Sequence, residues 1–392
     1  MHGALGDSVM FELFLIFSGA AILATAALYL RQAMLVAYLA LGSLLGPWGL
    51  ALVTDAELIG DIARIGIIFL LFLLGLDLSP RKLIHLLRET TLVTLASALL
   101  FAAVAAAIAW AHGFGGGDVL LIGVAASFSS TIIGLKLLPT TVLHHRRIGE
   151  IIISVLLLQD VLAIIALLVI HGLGAHAAPW TGIAWLLLAL PLLGAVAWLG
   201  QRYALARLLA RFDRIREYIF LLTIGWCLGL AQLGHSIGLS YEIGAFTAGV
   251  ALAASPIAPH IAERLQPLRD FFLVMFFFAL GAGFDLAAAW PVALPAALIA
   301  ISLLLLKPLA FRFLLVKQAE SDKLAWETGV RLGQLSEFSL LIVFVARQSG
   351  VISEPAFHAV QLATILSFIV SAYWIVARYP TPIALSDALR RD

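Results

Sequence analysis

Runs of about 20 apolar residues, each long enough to cross a bilayer, recur from one end of this chain to the other. "TLVTLASALLFAAVAAAIAWA" (91–111) is one of them. A chain built this way folds as an all-α polytopic membrane protein. The composition agrees: 62% of the 392 residues are hydrophobic and 12% are charged, about half the charged fraction of a soluble domain. The first apolar run, after Met10, has no basic flank before it and is long enough to span, so no cleavable signal peptide is expected. The single cysteine, Cys227, excludes an intrachain disulfide and a cysteine-cluster metal site. No basic tract resembles a nucleic-acid-binding arm, so no nucleic-acid partner is expected.

Apolar runs and breaks predict thirteen helices, near 8–30, 33–50, 56–77, 90–111, 118–138, 148–171, 179–205, 216–235, 239–255, 269–286, 291–316, 323–349 and 355–378. The connections alternate in chemistry. One set carries Arg31, Arg81, Lys82, Arg146, Arg147, Arg207, Arg211, Arg264, Lys317 and Lys323, among others. The other, such as "HGFGGGD" (112–118) and "HGLGAHAAPW" (171–180), has neither lysine nor arginine. Positive residues stay in the cytoplasm. The N-terminus is therefore placed outside and the C-terminus inside, as an odd number of spans requires.

A weak internal repeat runs through the chain. "LFLLGLDL" (71–78) returns as "FFALGAGFDL" (277–286), "LGSLLGP" (41–47) as "IGAFTAGV" (243–250), and "FSST" (128–131) falls opposite "QLSE" (334–337). An offset of seven helices turns one copy upside down relative to the other. The first repeat covers about 8–171, a linker helix about 179–205, and the second repeat about 216–378. Inverted repeats are a mark of secondary transporters, which alternate access around a midplane site.

Two stretches read as broken helices that cross near that midplane. "AASFSSTIIGLKLLP" (125–139) holds the hydroxyls Ser129, Ser130 and Thr131 in succession, and "GVRLGQLSEFSLLIV" (329–343) holds Gly333, Ser336, Glu337 and Ser339. Such residues compete for backbone hydrogen bonds and tolerate unwinding. Between them in sequence, "LLLQDVLAIIAL" (156–167) places Asp160 and Gln159 deep in an apolar helix. A carboxylate there is costly unless it is used. Asp160 can hold a dehydrated monovalent cation or a proton, and that competition would couple the two fluxes. Gln159 is read either as an oxygen donor or as a structural hydrogen bonder to a neighbouring helix. With one titrating acid, one proton exchanges for one cation.

The stretches 45–80, "SFSSTIIGLKLL" (127–138), "LLLQDVLAII" (156–165), "GLSYEIGAFTAGVALA" (238–253) and "RLGQLSEFSLLIVF" (331–344) resemble the glutathione-gated potassium-efflux (Kef) antiporters of the monovalent cation:proton antiporter-2 superfamily. The resemblance covers nearly the whole chain. It implies a homodimer in the cell (inner or plasma) membrane, in which a core domain slides against a dimerisation domain in an elevator-like motion. It also implies potassium as the cation, because the potassium-handling branch carries the Gln-Asp pair where sodium/proton antiporters carry Asn-Asp or Asp-Asp. Sodium/proton or mixed sodium–potassium/proton exchange is the alternative. Kef proteins continue into a cytoplasmic nucleotide-binding domain; residues 1–392 read as transport domain alone, so gating by glutathione or nucleotide is not carried over, and a separate cytoplasmic regulatory subunit is left open. No cofactor is expected beyond the transported potassium or sodium ion and the proton.

Lys307, in "LLLLKPLAFRF", resembles the lysine related antiporters carry in this helix, and it is expected to pair with Asp160 or Glu337, in one state or statically. Pro308 should break the helix there. Arg331 lies six residues before Glu337, which is read as part of the ion path or as a lock on Lys307. Ser336 is placed on the same path. Glu242, where the Kef pattern has an apolar residue, is read as a vestibule residue or a solvated helix-end acid. "HHRR" (144–147) serves equally as pH sensor or cytoplasmic anchor. A channel is disfavoured because no Thr-Val-Gly-Tyr-Gly filter appears, and an enzyme because no catalytic motif such as His-Glu-x-x-His does.

Overall fold

The computed structural model describes residues 9–53, 56–77, 80–137, 147–174, 179–212, 215–255 and 257–381. Helices α1 (Val9–Tyr29), α2 (Met34–Leu45), α3 (Ala56–Asp77), α4 (Pro80–Ala111), α5 (Gly116–Ala126), α6 (Thr131–Lys136) and α7 (Arg147–Gly174) come first. Then α8 (Pro179–Gly200) runs through a π turn (Gln201–Leu205) into α9 (Ala206–Arg211). The remainder comprises α10 (Arg216–Ser236), α11 (Tyr241–Ala253), α12 (Ala258–Ala282), α13 (Leu286–Ala289), α14 (Ala293–Lys317), α15 (Asp322–Arg331), α16 (Glu337–Gln348) and α17 (Glu354–Arg378). Among the described residues, seven helices are long and apolar enough to cross a membrane. This is an all-α, multi-pass membrane protein.

The expected helices and the observed ones coincide over most of their lengths, with two informative differences. The run expected at 269–286 starts earlier, at Ala258. Pro308 does not end its helix: α14 continues through it to Lys317. Proline removes one N–H, yet such losses are tolerated in membrane helices where a neighbour packs closely. Gly329 of α15 packs directly against this point of α14, since a Cβ on it would sit 2.7 Å from the Pro308 Cα.

A shift of about 206 positions carries α1 onto α10, α2 onto α11, α3 onto α12, α4 onto α14, and α5, α6 and α7 onto α15, α16 and α17. The chain divides into two compact units. The first contains residues 1–55, 86–166 and 277–392, the second residues 56–85 and 167–276. In the first unit α2 meets the last turns of α12 with almost no space between backbones. A Cβ on Gly42 would overlap the carbonyl of Phe278, and one on Gly281 the carbonyl of Leu39. The second unit repeats the device between α3 and α11: a Cβ on Gly249 would overlap the carbonyl of Phe72, and one on Gly75 that of Phe246. Small residues drive helix association where lipid removes the hydrophobic incentive. In these contacts Gly249 holds the place in the second unit that Gly42 holds in the first. The second unit is otherwise held by an apolar core around Phe72, Leu193, Ala231, Leu239 and Ala248, with Phe69 stacked on Phe272 at 4.6 Å.

Candidate functional site

The first unit contains both helix breaks. Between α5 and α6 the chain leaves the helix over Ser127–Ser130, and between α15 and α16 over Leu332–Ser336. Hydroxyls make the restart possible. The Ser130 hydroxyl accepts the Ile133 N–H at 3.1 Å. Ser336 is the N-cap of α16, its hydroxyl accepting the Phe338 N–H at 3.0 Å, while Ser339 accepts the Ser336 N–H at 3.1 Å. Each cap satisfies a donor that a helix start would otherwise orphan. Ser336 and Ser130 thus serve as caps.

The breaks are stitched to each other. Ser129 donates its hydroxyl to the Leu332 carbonyl at 2.8 Å, and Ser339 donates to the carbonyl of Ala125. Gln334 donates to the carbonyls of Arg331 (3.0 Å) and Ser130 (3.5 Å) and accepts from Ser371 of α17 at 2.8 Å. Lys307 completes the arrangement. It is fully buried, and its ammonium donates to the Phe128 carbonyl at 2.6 Å, the Gln334 carbonyl at 2.8 Å and the Ser129 hydroxyl at 3.2 Å, using all three of its protons. The Phe101 ring lies 5.2 Å away. Lys307 was expected to pair with an acid; no described ion pair joins it to one. Breaking a helix frees carbonyls, and at this depth the lysine is the donor that reaches them.

Asp160 sits midway along α7, with 1% of its surface exposed. Its carboxylate accepts the Thr131 hydroxyl at 3.2 and 3.4 Å to the two oxygens. Glu337 holds the first position of α16 and is buried. No described ion pair includes Asp160. Gln159 faces the first break, where its Oε1 accepts the Ser129 N–H at 2.9 Å. In the second break Ser367 of α17 does the equivalent work, accepting the Leu335 N–H at 3.0 Å.

The structure therefore brings Asp160, Gln159, Ser129, Ser130, Thr131, Lys307, Ser336 and Glu337 into one region. Carboxylate and hydroxyl oxygens are hard donors of the kind alkali cations take. Arg331 does not turn toward Glu337. Buried, it pairs with Glu327 at 2.9 Å and donates to the carbonyls of Leu137 and Pro380, each at 3.0 Å. Glu242 belongs to the second unit, half-buried in the first turn of α11. Of "HHRR", only Arg147 falls among the described residues, in an ion pair with Glu320 at 2.9 Å. Gln334, Ser367 and Ser371 had no assigned role in the sequence reading, although the Gly-Gln pair inside an apolar run was a visible signal for the first.

Two broken helices are thus hydrogen-bonded to each other beside a buried carboxylate. The chain belongs to the sodium/hydrogen exchanger transmembrane family, whose profile matches residues 14–377. It is 32% identical over 359 residues to the glutathione-regulated potassium-efflux system protein KefC of Cronobacter sakazakii, covering 89% of this chain and 57% of that protein. The chain thus spans a little over half the length of KefC. It is also 28% identical over 350 residues to the iron transporter MagA of Paramagnetospirillum magneticum, covering 88% of this chain and 80% of that one. Among solved structures, the sodium proton antiporter MjNhaP1 of Methanocaldococcus jannaschii matches with a TM-score of 0.68 over 93% of this chain and 96% of that one. At 18% identity, that likeness is one of fold.

Proposed function

We propose that the protein exchanges a monovalent alkali cation for a proton through Asp160. The observation that carries this reading is a fully buried carboxylate whose hydrogen-bonding partner is the Thr131 hydroxyl and not a fixed cation. A charge in that position must be neutralised by something that comes and goes. A proton and a cation are mutually exclusive there, so each leaves as the other arrives. Thr131 supplies a second oxygen to the cation, Gln159 holds the first break in place, and Lys307 keeps both breaks open. Electroneutral one-for-one exchange follows if Asp160 alone titrates, with Glu337 tuning it.

Sodium, or sodium and potassium together, fits the comparisons better than potassium alone. The family is described by sodium/hydrogen exchange and the fold is shared with a sodium proton antiporter, whereas the KefC relatives are named for potassium. Iron finds no support in the donor set: among the described residues no three of His, Cys, Asp or Glu come together.

The constant shift between the two sets of seven helices supports two repeats, read as inverted, flanking a linker formed by α8 and α9. Thirteen spans, an outside N-terminus, a cytoplasmic C-terminus, placement in the plasma membrane, a homodimer and elevator-like alternating access belong to the same proposal. Purified protein in liposomes, with a pH dye inside and an imposed proton gradient, tests it. Dye recovery on adding sodium or potassium is expected. Cation flux that persists when proton counterflow is blocked would make the protein a channel.

A further inference from the structure

Where α8 gives way to α9 the helix changes pitch. The Ala206 N–H donates to the Gln201 carbonyl, five residues back, and residues 201–205 form a π turn. Such turns bring together side chains that an α-helix would fan apart, and they are frequent at functional sites. Arg202 and Arg207 are five positions apart, and both guanidiniums lie 5.8 Å from the centre of one ring, that of Tyr203. Arg202 also lies 5.1 Å from the Trp198 ring, and Arg211 lies 5.8 Å from the ring of Phe212. Three arginines thus share one short stretch of helix with Trp198, Tyr203 and Phe212, a concentration of positive charge that attracts an anion. None of the described ion pairs gives Arg202, Arg207 or Arg211 a carboxylate.

The surroundings identify the anion. This row lies at the end of the apolar span Leu188–Leu209, and its neighbours Trp198, Leu199 and Leu208 are all exposed. Aromatic residues at a span end mark headgroup depth. Basic clusters at that depth attract anionic lipid. We propose that Trp198, Arg202, Tyr203, Arg207 and Arg211 form a binding site for the phosphate headgroup of an anionic phospholipid. Its acyl chains run along the exposed apolar face of α8. A soluble phosphate compound would use the guanidiniums and leave that apolar face unexplained.

The test is thermal unfolding of the detergent-purified full chain with added phosphatidylglycerol or phosphatidylcholine at constant salt. Phosphatidylglycerol should raise Tm by several degrees more than phosphatidylcholine does. The triple variant Arg202→Lys, Arg207→Lys, Arg211→Lys keeps every charge but loses the planar fork and the ring stacking. It should retain less than about a third of that difference. Tyr203→Leu, which leaves all three arginines, is read the same way should the triple variant not yield folded protein. Equal shifts from the two lipids, a full shift in the lysine variant, or the same shift from inorganic phosphate alone would overturn the proposal.

Discussion

The carbonyl oxygens of Phe128 and Gln334 share one ammonium group, that of Lys307, at 2.6 and 2.8 Å. These residues are 206 positions apart (128 and 334), the same shift that relates the two sets of helices. Position 101, one shift before Lys307, holds Phe101, which places its ring beside the ammonium. A single lysine thus serves both breaks.

Replacing Lys307 by methionine should therefore act first on stability. It leaves two buried carbonyls without their donor, each worth about 1–3 kcal/mol. Thermal unfolding in detergent should drop by several degrees. A variant that unfolds like wild type would show the carbonyls to be satisfied some other way.

Thr131 separates a hydroxyl effect from a packing effect. Thr131→Ser keeps the donor to Asp160 and should keep the apparent cation affinity within about threefold, whereas Thr131→Val should weaken it about tenfold, the equivalent of ~1.4 kcal/mol. Dye-based titration with sodium and potassium in liposomes measures both. Equal affinities for the two variants would remove Thr131 from the site.

Proton and cation share one carboxylate in this account, so acid should weaken cation binding. In the pH range where the proton holds the site, the apparent KM for the cation should rise by about tenfold for each unit the pH falls, with the maximal rate less affected. Initial rates across a pH series decide it. A KM independent of pH would separate the two binding sites.

The glycine contacts make a structural prediction. Gly42→Ala and Gly249→Ala should each destabilise by about 1–3 kcal/mol or more, because the added Cβ meets backbone and not a movable side chain. Gly60→Ala is the control, having nothing within 4 Å of the new atom. Unfolding temperatures of the three variants compare them directly.

Much of this was legible in the sequence, for physical reasons. Apolar runs fix helix extents because lipid admits no polar backbone, and the hydroxyl runs at Ser129–Thr131 and Ser336–Ser339 marked both breaks because caps need hydroxyls. Asp160 stood out because an acid at that depth is costly unless it is used. Partner choice was hidden. Charge alone matched Lys307 to an acid, but its partners are backbone carbonyls freed by unwinding, and these have no letter in the sequence. Pro308 looked like a stop because its neighbour Gly329 is 21 positions away in the chain (308 and 329). The likeness of the Gly42 and Gly249 contacts was hidden because α11 has two glycines, Gly244 and Gly249, and only the helix that each meets distinguishes them. The convergence of Arg202 and Arg207 depends on one turn of altered pitch, which α-helical periodicity does not foresee.

The most direct test of the account is exchange by Asp160→Asn beside wild type, each reconstituted in liposomes at equal amounts after its folding is verified by unfolding temperature. Asparagine keeps the size and an acceptor for Thr131 but can neither bind a proton nor carry charge in this range. The account predicts sodium- and potassium-driven proton movement in wild type and none in the variant, with similar unfolding temperatures. Exchange by the Asp160→Asn protein at the wild-type rate would contradict it.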